Sequence, residues 1–305
     1  MENGLFHTKL SLNITATKAF LFMTQSDAIT TYRPTLFSIA YRMTGEVMVS
    51  EDIVQEALLK WMSRSSDEIQ DNIAYLAKSV INSSLNHLAQ VKRQREAYKG
   101  IWLPEPVSLT HHTSDAKLDI SYGLMLLLEK LSPMERAVFV LKESFDFGYS
   151  ELAELFDTTE ANGRQLYRRA KEKISGTNRR FTLDPQQQQA LMEAFANASE
   201  TGNVDTLIQL LKTDVALYSD GGGKVSAAVN PLYGRLVIEK FLRGLDRKQS
   251  QTQIVRPTMV NGEPALFLTQ RDTQLLDTVM VLEFDELGIS GIYIIRNPDK
   301  LAHLQ

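Results

Sequence analysis

Residues 149–180 read YSELAELFDTTEANGRQLYRRAKEKISGTNRR. A helical stretch at 149–156 is followed by the polar break Asp157–Thr159 and then by a second helix. That second helix carries Arg164, Arg168, Arg169, Lys171, Lys173, Arg179 and Arg180 against only Glu160 and Glu172. Helix, short turn, basic helix is the arrangement that sets a helix N-terminus into a DNA major groove. Basic residues also suit the C-terminal end of a helix dipole, so position alone does not demand DNA. The chain as a whole carries a net charge of only −4, so its positive charge is local and points to nucleic acid at this one place.

The rest of the composition narrows the classes. At 305 residues and 43% hydrophobic content the chain can fill two or three cores, and global disorder is excluded. It has no cysteines, which removes disulfides, thiolate chemistry and finger-type zinc sites. Five histidines are scattered, and His111–His112 reads as a loop pair without a carboxylate at ligand spacing. No run approaches 18 apolar residues, and the first 23 residues lack a basic n-region, so a cytoplasmic protein with no membrane partner is expected.

Outward from the basic helix, residues 27–99 read as helices. Leu36, Phe37, Ile39, Ala40 and Met43 recur at helical spacing and stop before Gly45, with Pro34 tolerated only near a helix start. A second helix is expected from Ser50, with Ile53, Val54, Ala57, Leu58 and Trp61 as its stripe. A third carries Ile73, Leu76, Ala77, Val80, Ile81, Leu85 and Leu88 before turning basic. Residues 100–117 form a proline-containing linker docked through Ile101, Trp102 and Leu103. In LSPMERAVF, Ser132 caps a helix with Pro133 at its first position and Glu135 completing a capping box. After residue 183, with Asp184 as a cap, one long or two short helices precede strands at VALYSD, VSAAVN, TQIVRPTMV, PALFLTQ, DTVMVLEF and GISGIYIIRN. RLVIEKFLR is a further helix, and Asn261–Gly262 favours a type I′ hairpin.

Taken in order, YRPTLFSIAYRMTGEVMVSEDIVQEALLKW, REAYKGIWLPEP, LSPMERAVFVLKESFDFGYSELAELF, SDGGGKVSAAVNPLYG and RNPDKLAHL resemble bacterial extracytoplasmic-function (ECF) sigma factors of the sigma-70 family. The last two pieces resemble the subgroup with a fused C-terminal SnoaL-like, NTF2-like domain. The resemblance implies a multidomain fold: two all-α domains followed by an α+β NTF2-like cone with an antiparallel sheet. Its limits would be an N-terminal extension at 1–26, region two at 27–99, a linker at 100–117, region four at 118–180 and the C-terminal domain at 184–305.

The same resemblance implies partners and sites. Asp52, Gln55, Glu56 and Leu59 would meet the coiled coil of the β′ subunit of core RNA polymerase, and region four its β flap. Acidic and amide groups beside apolar residues suit a protein interface better than phosphates, although a solvated helix face has the same composition. Asn86, His87, Gln90, Lys92, Arg93 and Arg95 would melt and read the −10 promoter element. Here the chain departs from relatives: SSLNHLAQVK and DEIQDN carry fewer cations, so more of the affinity would have to come from polymerase. Thr158, Thr159, Arg164, Gln165, Arg168, Arg169 and Lys171 would meet the −35 duplex. Gly163 replaces a β-branched residue and either admits a close helix–helix or helix–DNA approach or marks a weakened reader.

Asp220 beside Gly221, Gly222 and Gly223 suggests a carboxylate or phosphate loop, yet lacks the spacing of nucleotide loops. A turn that contacts the linker or another domain is the better reading. By resemblance this DGGG motif and the tail residues Asn297, Pro298, Asp299, Lys300 and Leu301 couple the C-terminal domain to sigma activity in cis. No metal and no cofactor is implied, the free chain is expected to be a monomer, and an unidentified small ligand is admitted in the C-terminal pocket. Two classes follow: a promoter-specific sigma factor without covalent chemistry, and a ligand-binding or enzymatic NTF2-like protein with a degenerate helical half.

Overall fold

The computed structural model describes residues 25–64, 71–108, 121–174, 185–201, 203–249 and 253–305. The N-terminal extension up to residue 24, His111–His112, Arg179–Arg180 and the Asp184 cap lie outside the described residues. By contacts the chain divides into two compact units, residues 1–92 with 127–179, and residues 93–126 with 180–305.

The first unit is helical. Its elements are α1 (Gln25–Thr44), α2 (Val47–Met62), most of α3 (Asn72–Glu96), the end of α4 (Tyr122–Leu128), α5 (Pro133–Phe145), α6 (Tyr149–Leu155) and α7 (Glu160–Ile174). The predicted α1 stripe is buried at Leu36, Phe37, Ile39, Ala40 and Met43, and that of α2 at Ile53, Val54, Ala57, Leu58 and Trp61. Two boundaries differ from expectation. Pro34 lies well inside α1, which therefore forgoes one backbone bond there. Helix α2 starts at Val47, not Ser50, because the Ser50 hydroxyl is buried and donates back to the Glu46 carbonyl instead of capping amides ahead of it.

Helix α5 begins with the predicted capping box. Ser132 Oγ accepts from the Glu135 amide at 3.3 Å and Glu135 Oε2 from the Ser132 amide at 2.9 Å. It ends at Asp146, which adopts a left-handed conformation. Arg136, buried on this helix, pairs with Glu129 at 2.7 Å and donates to the carbonyls of Leu128 and Met43. One guanidinium thus holds the C-terminal end of α1 to α5.

The second unit places α8 (Pro185–Thr201), α9 (Val204–Leu210) and α10 (Arg235–Gln249) on a six-stranded sheet. Its strands are β1 (Leu211–Asp220), β2 (Leu232–Tyr233), β3 (Gln253–Val260), β4 (Glu263–Gln270), β5 (Leu276–Asp285) and β6 (Gly288–Ile295), in the order β2-β1-β6-β5-β4-β3. Asn261 (φ 55°) and Gly262 (φ 75°) make the predicted hairpin turn. The sheet is not wholly antiparallel as expected: β1 runs parallel to β6. Residues 225–230, VSAAVN, form an irregular loop rather than a strand, and the chain after them joins β1 at Leu232–Tyr233. Short helix α11 (Pro298–Leu301) and a 3-10 turn, Ala302–Leu304, follow β6.

Strand alternation gives the sheet two apolar faces. Leu217, Met280, Leu282, Ile292 and Ile294 face Phe195, Leu207 and Ile238 of the helices, and fill the space between them. Val279, Val281, Tyr293 and Ile295 face the other way, under Leu103 of the linker, Tyr122 of α4 and the tail residue Leu301. The linker is therefore part of this unit's core.

Candidate functional site

On α2 the four polymerase-facing candidates Asp52, Gln55, Glu56 and Leu59 are exposed, at spacing that puts them on one face. Leu59 is 59% exposed, and Met48 at 59% and Met62 at 40% extend the same stripe. Sequence reasoning missed the two methionines, although their spacing of four and three from Asp52 and Leu59 carried the signal. Exposed apolar side chains rimmed by carboxylates are the composition of a protein-binding face.

On α3, Asn86, Gln90 and Arg93 follow one another at spacings of four and three, and all are exposed, as is Lys92. His87 instead pairs with Glu46 at 3.2 Å. Arg95 lies 3.9 Å from the centre of the Trp102 ring, within the second unit. The −10 candidates therefore split into an exposed group and two residues engaged elsewhere.

On α7, Arg164, Gln165, Arg168, Arg169 and Lys171 are exposed. Thr159 Oγ1 accepts from the Asn162 amide, and Thr158 Oγ1 from the Asn162 side chain at 2.9 Å. Both threonines thus fix the turn before the helix. Gly163 is buried, and a Cβ there would meet Tyr149 Cδ1 at 3.7 Å, an ordinary contact. The glycine lies at the close approach of α6 and α7, not on the exposed face.

The DGGG and tail residues converge on one buried carboxylate. Asp220 Oδ1 accepts from Tyr98 Oη at 2.6 Å and from the Gly222 amide at 2.9 Å. Its Oδ2 accepts from the Leu103 amide at 2.9 Å and from Lys300 Nζ at 2.7 Å. Lys300 also donates to the Leu103 carbonyl and lies 3.9 Å from the Trp102 ring centre. Asn297 donates its side-chain amide to Tyr98 Oη at 3.0 Å. Lys224 pairs with Asp299 at the surface. Pro298 opens α11 at its first position and Leu301 is buried in the core beneath it.

Four donors saturate a carboxylate that is 1% exposed as a residue. Such a group binds and orients, and has no free lone pair with which to take a substrate proton. Burial pushes the Tyr98 hydroxyl well above its usual range, and the Asp220 carboxylate beside it adds to this. Burial likewise depresses the Lys300 ammonium, against the opposing pull of Asp220. The glycines serve the turn. Gly222 has φ +62°, and a Cβ there would lie 2.5 Å from Asn297; one at Gly221 would strike the Val225 carbonyl. A cavity of about 350 Å³ borders this loop, lined by Lys99, Gly100, Ser219 and residues between Gly221 and Val229.

The linker is held at a second place that sequence reasoning missed. Tyr122 donates its amide to Glu263 at 2.7 Å and its hydroxyl to the Pro104 carbonyl. Gly123 sits so close to Tyr293 that a Cβ would lie 2.7 Å from its hydroxyl, which donates to Glu283 at 2.7 Å. Among the described residues no group of three or more His, Asp or Glu is placed to hold a metal ion. Among them, too, no helix is long and apolar enough to cross a membrane.

Comparison with known proteins places the chain in a family. Residues 28–94 match the sigma-70 region 2 model and residues 123–174 the sigma-70 region 4 model. ECF RNA polymerase sigma factor SigJ of Mycobacterium tuberculosis is 36% identical over 284 residues, covering 88% of this chain and 91% of SigJ. The chain belongs to the ECF sigma factors. The crystal structure of SigJ superposes with a TM-score of 0.73 at 28% identity, over 91% of this chain and 98% of that one. The probable ECF sigma factor SigI of the same species is 29% identical over 293 residues, 93% of this chain and 98% of SigI. These relatives span the whole architecture, so the ECF chain described here is two helical sigma modules with a fused α+β domain.

Proposed function

We propose that this ECF sigma factor binds core RNA polymerase through α2, reads the −10 element through α3 and the −35 element through α7, and is modulated in cis by its C-terminal domain. Residues 27–99 act as region two, 118–180 as region four and 184–305 as the regulatory domain, linked through 100–117. The β′ coiled coil takes the stripe Asp52, Gln55, Glu56 and Leu59, and the β flap takes region four. The free chain is a cytoplasmic monomer. The observation that carries the regulatory half is the saturation of Asp220 by Tyr98 just ahead of the linker, Leu103 in the linker and Lys300 from the tail. A domain that holds the chain joining two promoter-reading modules is able to control how far they separate. The NTF2-like domain acts by this contact, not by turnover.

In vitro transcription with core polymerase on a pooled promoter library tests the reading. The full chain is compared with one truncated before Asp184, one ending at Arg296 and the Asp220→Ala variant. Specific initiation by the full chain, changed in strength by truncation and by Asp220→Ala alike, supports it. Absence of initiation by every version, together with no binding of core enzyme, would sink it.

A further inference from the structure

The cavity beside the DGGG loop has walls that the domain's own folding does not use. Its volume is about 350 Å³, and it is lined by Lys99, Gly100, Ser219, Gly221, Gly223 and the loop from Val225 to Val229. None of these residues belongs to the core that Phe195, Leu207 and Ile238 build against the sheet. Val225, Ala227, Ala228 and Val229 make most of the wall apolar, and Val229 is 67% exposed. Small-molecule sites run from roughly 300 Å³ upward, so a guest here is a single ring or a short chain.

Charge supplies the second half of the argument. Asp220 meets Lys300 at 2.7 Å, Lys224 meets Asp299 at 2.5 Å and Arg296 meets Asp277 at 3.4 Å. Lys99 has no such partner among the described residues, and no carboxylate side chain lines the cavity. Its stem is nevertheless held. Gly223 has φ +70°, and a Cβ there would lie 3.0 Å from Lys99 Cδ and 3.2 Å from Lys99 Cβ, so the stem lies flat on the loop. Ser219, 2% exposed, also lines the cavity, and its hydroxyl makes no hydrogen bond among the described residues. A buried hydroxyl without a protein partner is a place for a polar group of a guest. One ammonium is a compact point charge that suits one negative charge, and a polyphosphate would bring charges with no counterpart here.

We propose that this cavity binds a small apolar monocarboxylate, its body against Val225, Ala228 and Val229 and its carboxylate at Lys99. Such a guest touches the DGGG loop and Lys99–Gly100 together, next to the bond between Tyr98 and Asp220. It binds the arrangement in which that bond is made better than one in which the two segments part, and so stabilises it. The binding stands apart from the sigma reading above; its consequence, a strength of initiation set by the ligand, rests on that reading.

The test titrates the full chain calorimetrically with octanoate, and with octanol as its uncharged counterpart. Octanoate should bind saturably, raise the melting temperature and exceed octanol in affinity by about fivefold, the worth of one exposed charge pair. Lys99→Met keeps a stem over Gly223 without the charge and should bring octanoate down to the level of octanol, and Lys99→Arg should restore the difference. Ala228→Phe fills the cavity and should abolish binding of both, with its melting temperature in the absence of ligand as the check on folding. No saturable binding of octanoate, or binding that Ala228→Phe leaves unchanged, overturns the site. Equal affinities for octanoate and octanol, or for wild type and Lys99→Met, overturn the carboxylate assignment. In transcription with core polymerase, octanoate should change the strength of initiation by wild type and not by Ala228→Phe. A chain that binds octanoate and initiates at no promoter brings down the sigma reading and leaves the cavity assignment standing. One that binds it and initiates with unchanged strength overturns the regulatory consequence alone.

Discussion

Asp220 and Tyr98 are 122 residues apart in sequence and share a 2.6 Å hydrogen bond. That bond, with Lys300 on the other carboxylate oxygen, ties the chain just ahead of the linker to the end of β1. Asp220→Asn keeps the shape and removes the charge, which leaves the Lys300 ammonium buried without its counter-ion. Breaking one partner of a buried pair costs about 3–5 kcal/mol. The variant should lose that much stability in denaturant unfolding, and trypsin should cut it faster around Arg95–Lys99 than it cuts the wild type. Unchanged cleavage would mean that the linker is held by its apolar contacts and not by the carboxylate.

The tyrosines around the sheet make stability fall at alkaline pH. Burial pushes Tyr218 up to about 12, and raises Tyr98 and Tyr293 as well. In each case the folded state holds its proton to higher pH than the unfolded chain does. The contribution is complete below about pH 10 and is lost as pH rises through the folded values. Lys300 has the opposite sign. Its depressed ammonium means the unfolded chain binds more protons between the folded value and about 10.4, so its share rises with pH in that window. With three tyrosines against one lysine, the melting temperature should drop between pH 10 and 12, and Tyr218→Phe should reduce the slope.

Much of the architecture was legible because its signals are local. The Ser132 capping box, the Asn261–Gly262 turn and the apolar stripes of α1 and α2 are each encoded within a few residues, and each forms. The failures are non-local. VSAAVN has strand composition, but the turn at Gly222–Gly223 leads it away from β1 and its backbone finds no neighbouring strand. The parallel pairing of β1 with β6 depends on which strands become neighbours, which alternation does not encode. For the candidate site, DGGG and NPDKL were visible as motifs. The DGGG turn was also legible as a contact to the linker, which forms at Leu103; the part played by Tyr98 was not, since nothing in either motif names a partner so distant in sequence. Gly123 carried no readable signal at all: its need for a missing Cβ comes from Tyr293 on another element.

Gly163 gives a gain. An added Cβ meets Tyr149 at ordinary van der Waals distance and the residue lies inside α7, so Gly163→Ala removes a helix penalty without a clash. The variant should be more stable by up to about 1 kcal/mol in thermal unfolding, with the salt slope of promoter binding unchanged. Gly163→Val places two further carbons toward the Tyr149 ring and should lose part of that gain. A drop in stability for the alanine variant would show that α6 and α7 need a closer approach than the 3.7 Å spacing allows for.

Leu59 separates folding from polymerase binding. It is 59% exposed on α2, beside Gln55 and Glu56, and its neighbours Ala57 and Leu58 are buried. Replacing it with glutamate therefore leaves the core intact and should shift the melting temperature little. If the α2 stripe is the polymerase face, the same change puts a charge at the centre of an apolar contact, where loss of a hot-spot side chain costs about 2 kcal/mol or more. Affinity for core enzyme, measured by titration of a labelled chain, should fall by roughly thirtyfold for that energy. Lys60→Ala is the matched control, because Lys60 is exposed and its pair with Glu56 is a surface contact of small worth. Equal affinities for wild type and Leu59→Glu would move the polymerase contact off this helix. A loss confined to Leu59→Glu, with promoter preference unchanged once the complex is saturated, would assign the stripe to the protein partner and leave sequence reading to α3 and α7.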